Sequence, residues 1–230
     1  MPGIRGFWPL SNFGTTGGPF DVSGHDFHLT YNGDPLFLYG GLAGFCRFDG
    51  TGDYFTILNN AGLSITATEA YVDPSYQGLT LWCWARPTVL TAEERLVSKW
   101  HTNGQYSYKL SIHGGFAGDP VTFQISDDGA AGTSVIALPT TINEWQFIAG
   151  RFNDNDAGEE LAVFCNDDKD TAAAAEADIF DGTDSFSLGG SGGGWSLITW
   201  DMALAGISCM ALTDAMIRTI YHQTRALFGL

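Results

Sequence analysis

Residues 79–87 alternate with period two: Leu79, Leu81, Cys83 and Ala85 fall on one face, and Thr80, Trp82, Trp84 and Arg86 on the other. Such alternation predicts a β-strand, and large groups on both faces predict one that is covered on both sides or borders a binding surface. Residues 44–48 and 54–58 read as two further strands around Asp49-Gly50-Thr51-Gly52-Asp53. Two glycines that accept positive φ, and aspartates that close Asx turns, predict a β-hairpin there. Short apolar runs continue at 6–10, near Phe27, and at 95–100, 106–112, 121–126, 134–138, 145–152, 161–165, 185–188 and 202–209, each bounded by Gly, Asn or Asp turns. About ten residues per strand favours an antiparallel sandwich over alternating β-α units. Residues 14–19 read as a glycine-rich turn, 59–77 as a polar excursion and 172–175 as a low-complexity connection.

The last segment changes period. Met216, Ile217, Ile220, Tyr221, Thr224, Leu227 and Phe228 make a helical stripe, with Thr213 placed to cap the start, Asp214 set against the dipole and Gly229 able to end it. The stripe predicts a helix of about four turns packed on the edge of the sandwich.

At 230 residues, the chain is long enough to bury a core, and 1–230 is expected to form one domain. No apolar run approaches the ~20 residues of a membrane helix, so membrane insertion is not expected. Ten basic residues against 26 acidic ones, a net charge of −16, argue against binding nucleic acid, which needs clustered Lys and Arg. The acid surplus reads as a self-repelling, soluble surface. Nineteen of the 26 acids are Asp, many in Gly/Asn loops, which also suits calcium. Cys46, Cys83, Cys165 and Cys209 lie far apart with no C-x-x-C pair, so zinc is not expected; buried free thiols are the simpler reading, with strand-to-strand disulfides the alternative.

The order of motifs then becomes informative. Trp8-Pro9-Leu10 is followed by Asp21-x-Ser23-Gly24-x-Asp26, Phe48-Asp-Gly-Thr-Gly-Asp-Tyr54, Leu81-Trp-Cys-Trp-Ala-Arg-Pro87 and Leu96-Val-Ser-Lys-Trp100. Ser107-Tyr-Lys-Leu110, Phe123-Gln-Ile-Ser126, Glu144-Trp-Gln-Phe147, Phe186-Ser-Leu-Gly-Gly190 and Ala211-Leu-Thr-Asp214 complete the series. From residue 6 to about 221, this order resembles the laminin-G-like, concanavalin A-like jelly-roll domains. The resemblance implies an all-β, two-sheet antiparallel sandwich with one concave face, here with a C-terminal helix, in a family whose members often bind sugars or proteins. It also implies one structural calcium held by Asp21, helped by Asp26, and by an acid before the last strand. This sequence has Ala203 at the second place, and the nearest carboxylate is Asp201.

Catalytic patterns are missing. No Glu-x-Asp-x-Glu places alternate carboxylates in one cleft, and Glu93-Glu94 and Glu159-Glu160 read as adjacent, solvated pairs in turns. There is no Gly-x-Ser-x-Gly elbow, phosphate loop or His-Glu-x-x-His, and the five histidines have no ligand spacing. The expectation is therefore a binding protein, not an enzyme. Aromatic planes that stack on sugar rings are the candidates: Trp195 after Gly192-Gly193-Gly194, then Trp100, His101 and Tyr106, of which Trp100 and Tyr106 also read as ordinary interstrand packing. The opening residues carry no basic segment with an apolar run behind it, so synthesis in a cytoplasm is expected. With the Ser98-Lys99-Trp100…Tyr106-Ser107-Tyr108 pattern, which is similar to phage-borne modules, this points to a virion protein made in the host cytoplasm. Its expected partners are other virion proteins, copies of itself and a cell-surface glycan. The alternative is an extracellular carbohydrate-binding module of a bacterial glycan-degrading system.

Overall fold

A computed structural model describes residues 3–11, 17–40, 43–65, 77–90 and 92–230. Parts of the segments expected at 14–19 and 59–77 lie outside them. The strands are β1 (Ile4–Trp8), β2 (Thr30–Asn32), β3 (Leu36–Gly40), β4 (Ala43–Arg47), β5 (Tyr54–Ile57), β6 (Gln77–Arg86), β7 (Glu93–Lys99) and β8 (Tyr108–His113). They continue as β9 (Pro120–Ile125), β10 (Thr133–Pro139), β11 (Gln146–Asn153), β12 (Leu161–Cys165), β13 (Asp168–Ala172), β14 (Phe186–Leu188) and β15 (Asp201–Met210). A helix, α1 (Asp214–Thr224), follows, and a 3-10 turn, Arg225–Phe228, ends it at Gly229 with φ 80°. All pairings are antiparallel. One sheet has eight strands in the order β13-β12-β11-β6-β15-β4-β3, with β1 also on β15; the other has seven, β10-β9-β8-β7-β14-β5-β2. No helix among the described residues is long and apolar enough to cross a membrane.

β6 sits in the middle of the larger sheet and serves two cores. Leu79, Leu81, Cys83 and Ala85 join the core between the sheets, with Phe55, Phe123, Phe186 and Trp200. Trp82 and Trp84 face the opposite way, into a second cluster with Phe147, Phe164, Ile217, Ile220 and Tyr221. The helix thus lies across the outer face of the eight-stranded sheet and not on the sandwich edge. The size of the outward groups explains this: two buried tryptophans on the outer face of a sheet require a cover, and α1 is that cover. Thr213 caps it, accepting from Met216 N at 3.3 Å.

The Asp49–Asp53 turn is not a hairpin. β4 belongs to the larger sheet and β5 to the smaller, so the chain turns a corner between them. Phe48, 1% exposed, enters the core at this corner against Phe55, with ring centroids 5.3 Å apart. Its burial draws the chain across the sandwich where a hairpin would have kept it in one sheet. Asp53, almost fully buried, braces the corner by accepting from Asp34 N (2.8 Å) and Asp49 N (3.2 Å). Two strands, β3 and β13, were not expected from the sequence. The four cysteines are buried and unbridged, and burial pushes the Cys165 thiol up to about 12, far from reactive at neutral pH.

Candidate binding site

β7 runs into residues 100–107 at one end, and β14 runs into a glycine-rich loop whose turn, 189–198, is closed by its own backbone. Ser191 donates from both N (2.9 Å) and Oγ (3.1 Å) to the Trp195 carbonyl, Gly194 N donates to Ser191 O (2.8 Å), and Ile198 N donates to Gly189 O (3.2 Å). Gly194 takes φ +74°, which a glycine adopts without strain. At Gly193, a Cβ would lie 2.2 Å from the His101 ring, so only glycine lets that imidazole seat against the loop. A pinned backbone holds Trp195 with its side chain turned out, 67% exposed.

Trp195, His101, Arg95 and Ser196 line a cavity of about 520 Å³. From the other side, Asp184 accepts from His101 N (2.5 Å) and Thr102 N (2.8 Å), which fixes the loop carrying the imidazole. Arg95 is tied in at both ends. Its backbone N donates to Ser196 O at 3.0 Å, and its guanidinium donates to the Trp100 carbonyl and to Glu93 (3.4 Å). Its Nε is buried with no hydrogen-bond partner. A buried donor without an acceptor is costly, so this Nε is a strained point behind the cavity.

Of the four aromatic candidates, the structure brings His101 and Trp195 together. Trp100 is only 5% exposed, stacked on Tyr106 (4.5 Å, 6° between planes), with the Lys109 ammonium 5.1 Å from its ring centre. Arg95, Ser196 and Asp184 were not singled out in the sequence; the nearest available signal was that Arg95 and Ser196 flank the Trp100-His101 and Trp195 positions.

The Glu93-Glu94 pair lies on β7, not in a turn, and its members face opposite ways. Glu94 points inward and accepts from Trp200 Nε1. Glu93 points outward and bonds Lys109 and Ser111. Burial pushes the Glu93 carboxyl up, but the Lys109 and Arg95 cations outweigh it and hold it below the ordinary range. Lys109 is itself pushed down, because burial outweighs the pull of Glu93. A carboxyl depressed in the folded state adds stability that is complete above its unfolded value, about 4.3, and is lost as pH falls through the folded value. Glu93→Gln is therefore expected to lower stability by about 2 kcal/mol at neutral pH and to flatten the loss between that unfolded value and the acid limit. Thermal melts across this range check it.

The carboxylates expected for calcium do not fit a shared ion. Asp201 is fully buried, and its two oxygens are held by Arg47 (2.8 and 3.2 Å) and Arg86 (3.0 Å from Nε). Asp21 accepts from Phe7 N (2.9 Å), Ser23 N (2.8 Å), Phe27 N (3.1 Å) and Ser23 Oγ (2.7 Å). Phe7, which Asp21 holds, pairs with Gly206, five residues along β15 from Asp201 and on the order of 15 Å away along the strand. The Asp26 side chain is 91% exposed. Three other carboxylates, Asp34, Asp49 and Asp53, do bring oxygens within 4.8 Å of one another at the corner, where Asp49 and Asp53 accept backbone amides. Asp21 acts as a clamp on three amides, and Asp21→Ala is expected to cost about 3 kcal/mol, the same with and without chelator. A chelator that lowers the melting temperature of the unmodified protein but not of the variant would return calcium to Asp21.

The fold is a two-sheet antiparallel β-sandwich with a C-terminal helix. No protein-family model and no curated protein matches the sequence, and the similarity is to solved structures. The binding domain of Paraclostridial Mosquitocidal Protein 1 superposes with a TM-score of 0.71 at 15% identity over 96% of this chain and 52% of that one. The ligand-binding domain of botulinum neurotoxin serotype D, solved with N-acetylneuraminic acid, gives 0.67 at 12% over 96% and 51%. This chain spans about half the length of those toxin domains. Domain 4 of an extracellular GH43 arabinanase from Geobacillus stearothermophilus, solved with arabinotriose, gives 0.65 at 14% over 95% and 98%, a module of matching size.

Proposed function

We propose that this chain is a non-enzymatic lectin-like domain that holds a glycan of a cell surface against Trp195, carried by a virion structural protein of the tail, fibre or capsid-decoration type. The observation that carries the binding role is the exposed Trp195 ring on a self-closed loop, with His101, Arg95 and Ser196 around one cavity. A flat apolar plane bordered by fixed polar groups is how sugar rings are gripped: the ring face stacks and the hydroxyls take the hydrogen bonds. Neighbours solved with an arabinotriose and with a sialic acid support that reading. The virion assignment is supported by the phage-like motif order around Trp100. A single small cavity binds weakly, and many copies on a particle raise apparent affinity by 10²–10⁴ without new contacts. The second reading is an extracellular carbohydrate-binding module, favoured by the arabinanase module of equal length.

A glycan array probed with a multimerised form of the protein tests binding, and assays for reducing sugar on each hit test the absence of hydrolysis. Immunogold labelling of particles from the producing culture separates the two settings: label on particles supports the virion reading, and label only on secreted enzyme supports the module. Residues 1–230 are proposed to fold as one unit. Limited proteolysis should cut first within 153–158 or 173–183 and leave no stable half-length fragment.

A further inference from the structure

We infer that the outer edge of β3 is a self-association surface, where a second copy of this chain pairs antiparallel and extends the eight-stranded sheet across a two-fold axis. An open edge offers a row of backbone donors and acceptors to another strand, and proteins blunt such edges with charge, proline, irregular register or short length. Among the described residues, four of the five edges carry such a device or are covered: β1, off the main path on β15, carries Arg5, shifts register between Ile4 and Gly6, and has the free side of Phe7 taken up by Val22 N and Asp21. β13 reads Asp168-Lys169-Asp170, charged at each of its first three positions. β10 ends in Pro139, shifts register between Ala137 and Pro139, and has Leu138 at φ 62°. β2 is three residues long and is followed on its far side by backbone bonds from Leu29 and Tyr31 to Pro19 and Gly17.

β3 carries none of these devices. It reads Leu-Phe-Leu-Tyr-Gly, has no proline and pairs in regular register with β4 on one side; among the described residues no strand lies on the other. Leu36 is 55% exposed and Tyr39 75%. The occupant follows from charge. Residues 35–46, twelve in succession, carry no charged side chain in a chain of net charge −16. Two such chains repel wherever their acidic surfaces meet, and this edge is a long neutral stretch over which they can approach. The sequence is also compatible with its own reversal. With the axis at Leu38, leucine meets leucine, Phe37 lies opposite Tyr39 and Leu36 lies opposite Gly40, so an aromatic pair forms twice.

Analytical ultracentrifugation of the whole chain over a wide concentration range tests this, with two variants checked for folding by circular dichroism. The unmodified chain is expected to show a reversible monomer–dimer equilibrium. Leu36→Glu and Tyr39→Glu together place like charges along both edges and are expected to weaken dimerisation at least about ten-fold. Ile136→Glu, on the β10 edge, is expected to leave it unchanged. Hydrogen exchange should show β3 amides becoming protected as the dimer forms. A chain that stays monomeric throughout, a dimer indifferent to the β3 charges, or open-ended oligomers in place of a dimer would each overturn the inference. So would a monomeric chain whose β3 takes up only an unrelated extended peptide.

Discussion

Replacing Trp195 with alanine is expected to remove glycan binding while leaving the fold intact. The ring is mostly solvent-exposed and touches no core cluster, so its loss should change stability by no more than about 0.5 kcal/mol. Its loss from the cavity is a different matter. The other lining groups are polar, and a sugar ring deprived of the indole face loses its one apolar contact there. Central aromatic anchors cost about 2 kcal/mol or more when truncated, roughly a thirty-fold weakening of an interaction that is weak to begin with. On an array read with multimerised protein the loss is amplified, because every copy is affected. Trp195→Phe should recover part of the signal. Arg95→Gln offers a second arm: it removes the cation that lines the cavity, so hits that present a negative charge or an acceptor there should weaken and purely stacking ligands should not.

The largest effect on stability is expected at Trp84. Its ring is fully buried between the sheet and the C-terminal segment, 4.2 Å from Phe228, 5.9 Å from Tyr221 and 5.8 Å from Phe147, and its indole N–H donates to Thr224 Oγ1 at 2.9 Å. Trp84→Ala leaves a large cavity beneath the helix and removes the bond to Thr224 Oγ1, whose hydroxyl still donates to the Ile220 carbonyl, a loss of about 3–5 kcal/mol. For a chain of this size that lowers the melting temperature by about 6–20 °C. The helix should also exchange its amides faster than the strands, since Trp84 joins both α1 and the following 3-10 turn to the sheet. Trp84→Phe keeps the ring contacts and gives up the hydrogen bond, so it should lose less than half as much. An alanine variant that melts within a degree or two of the parent would show that the helix is held by other contacts, such as those of Asp214 with Arg151 and Lys169.

The two-faced alternation of residues 79–87 was legible because each face has its own partner, and the helix was legible because its stripe and its Thr213 cap are local features. The location of the helix was not: a stripe says that something is covered, and the thing covered is Trp82 and Trp84, more than a hundred residues earlier. The corner at 49–53 shows the same limit from the other side. Its turn residues are those of a hairpin, but the destination of β5 is decided by Phe48 and Phe55 in the core, a long-range term that turn chemistry does not contain. β13 was missed because Asp168-Lys169-Asp170-Thr171-Ala172 has no apolar period; its pairing with β12 is made through backbone groups. β3 was missed because its apolar residues sit among turn-forming glycines. The exposure of Trp195 was visible from its glycines. Arg95 was not, since its place beside Trp195 depends on the bond between its own N and Ser196 O, across 101 residues of chain.

The most direct test of the central claim is a titration of isotopically labelled protein with an array-selected oligosaccharide, followed by NMR. The Trp195 indole N–H, the His101 ring and the Arg95 Nε–H are expected to shift together with one affinity, while the residues of α1 stay in place. Shifts confined to the helix side of the molecule, or no shift at saturating sugar, would contradict it.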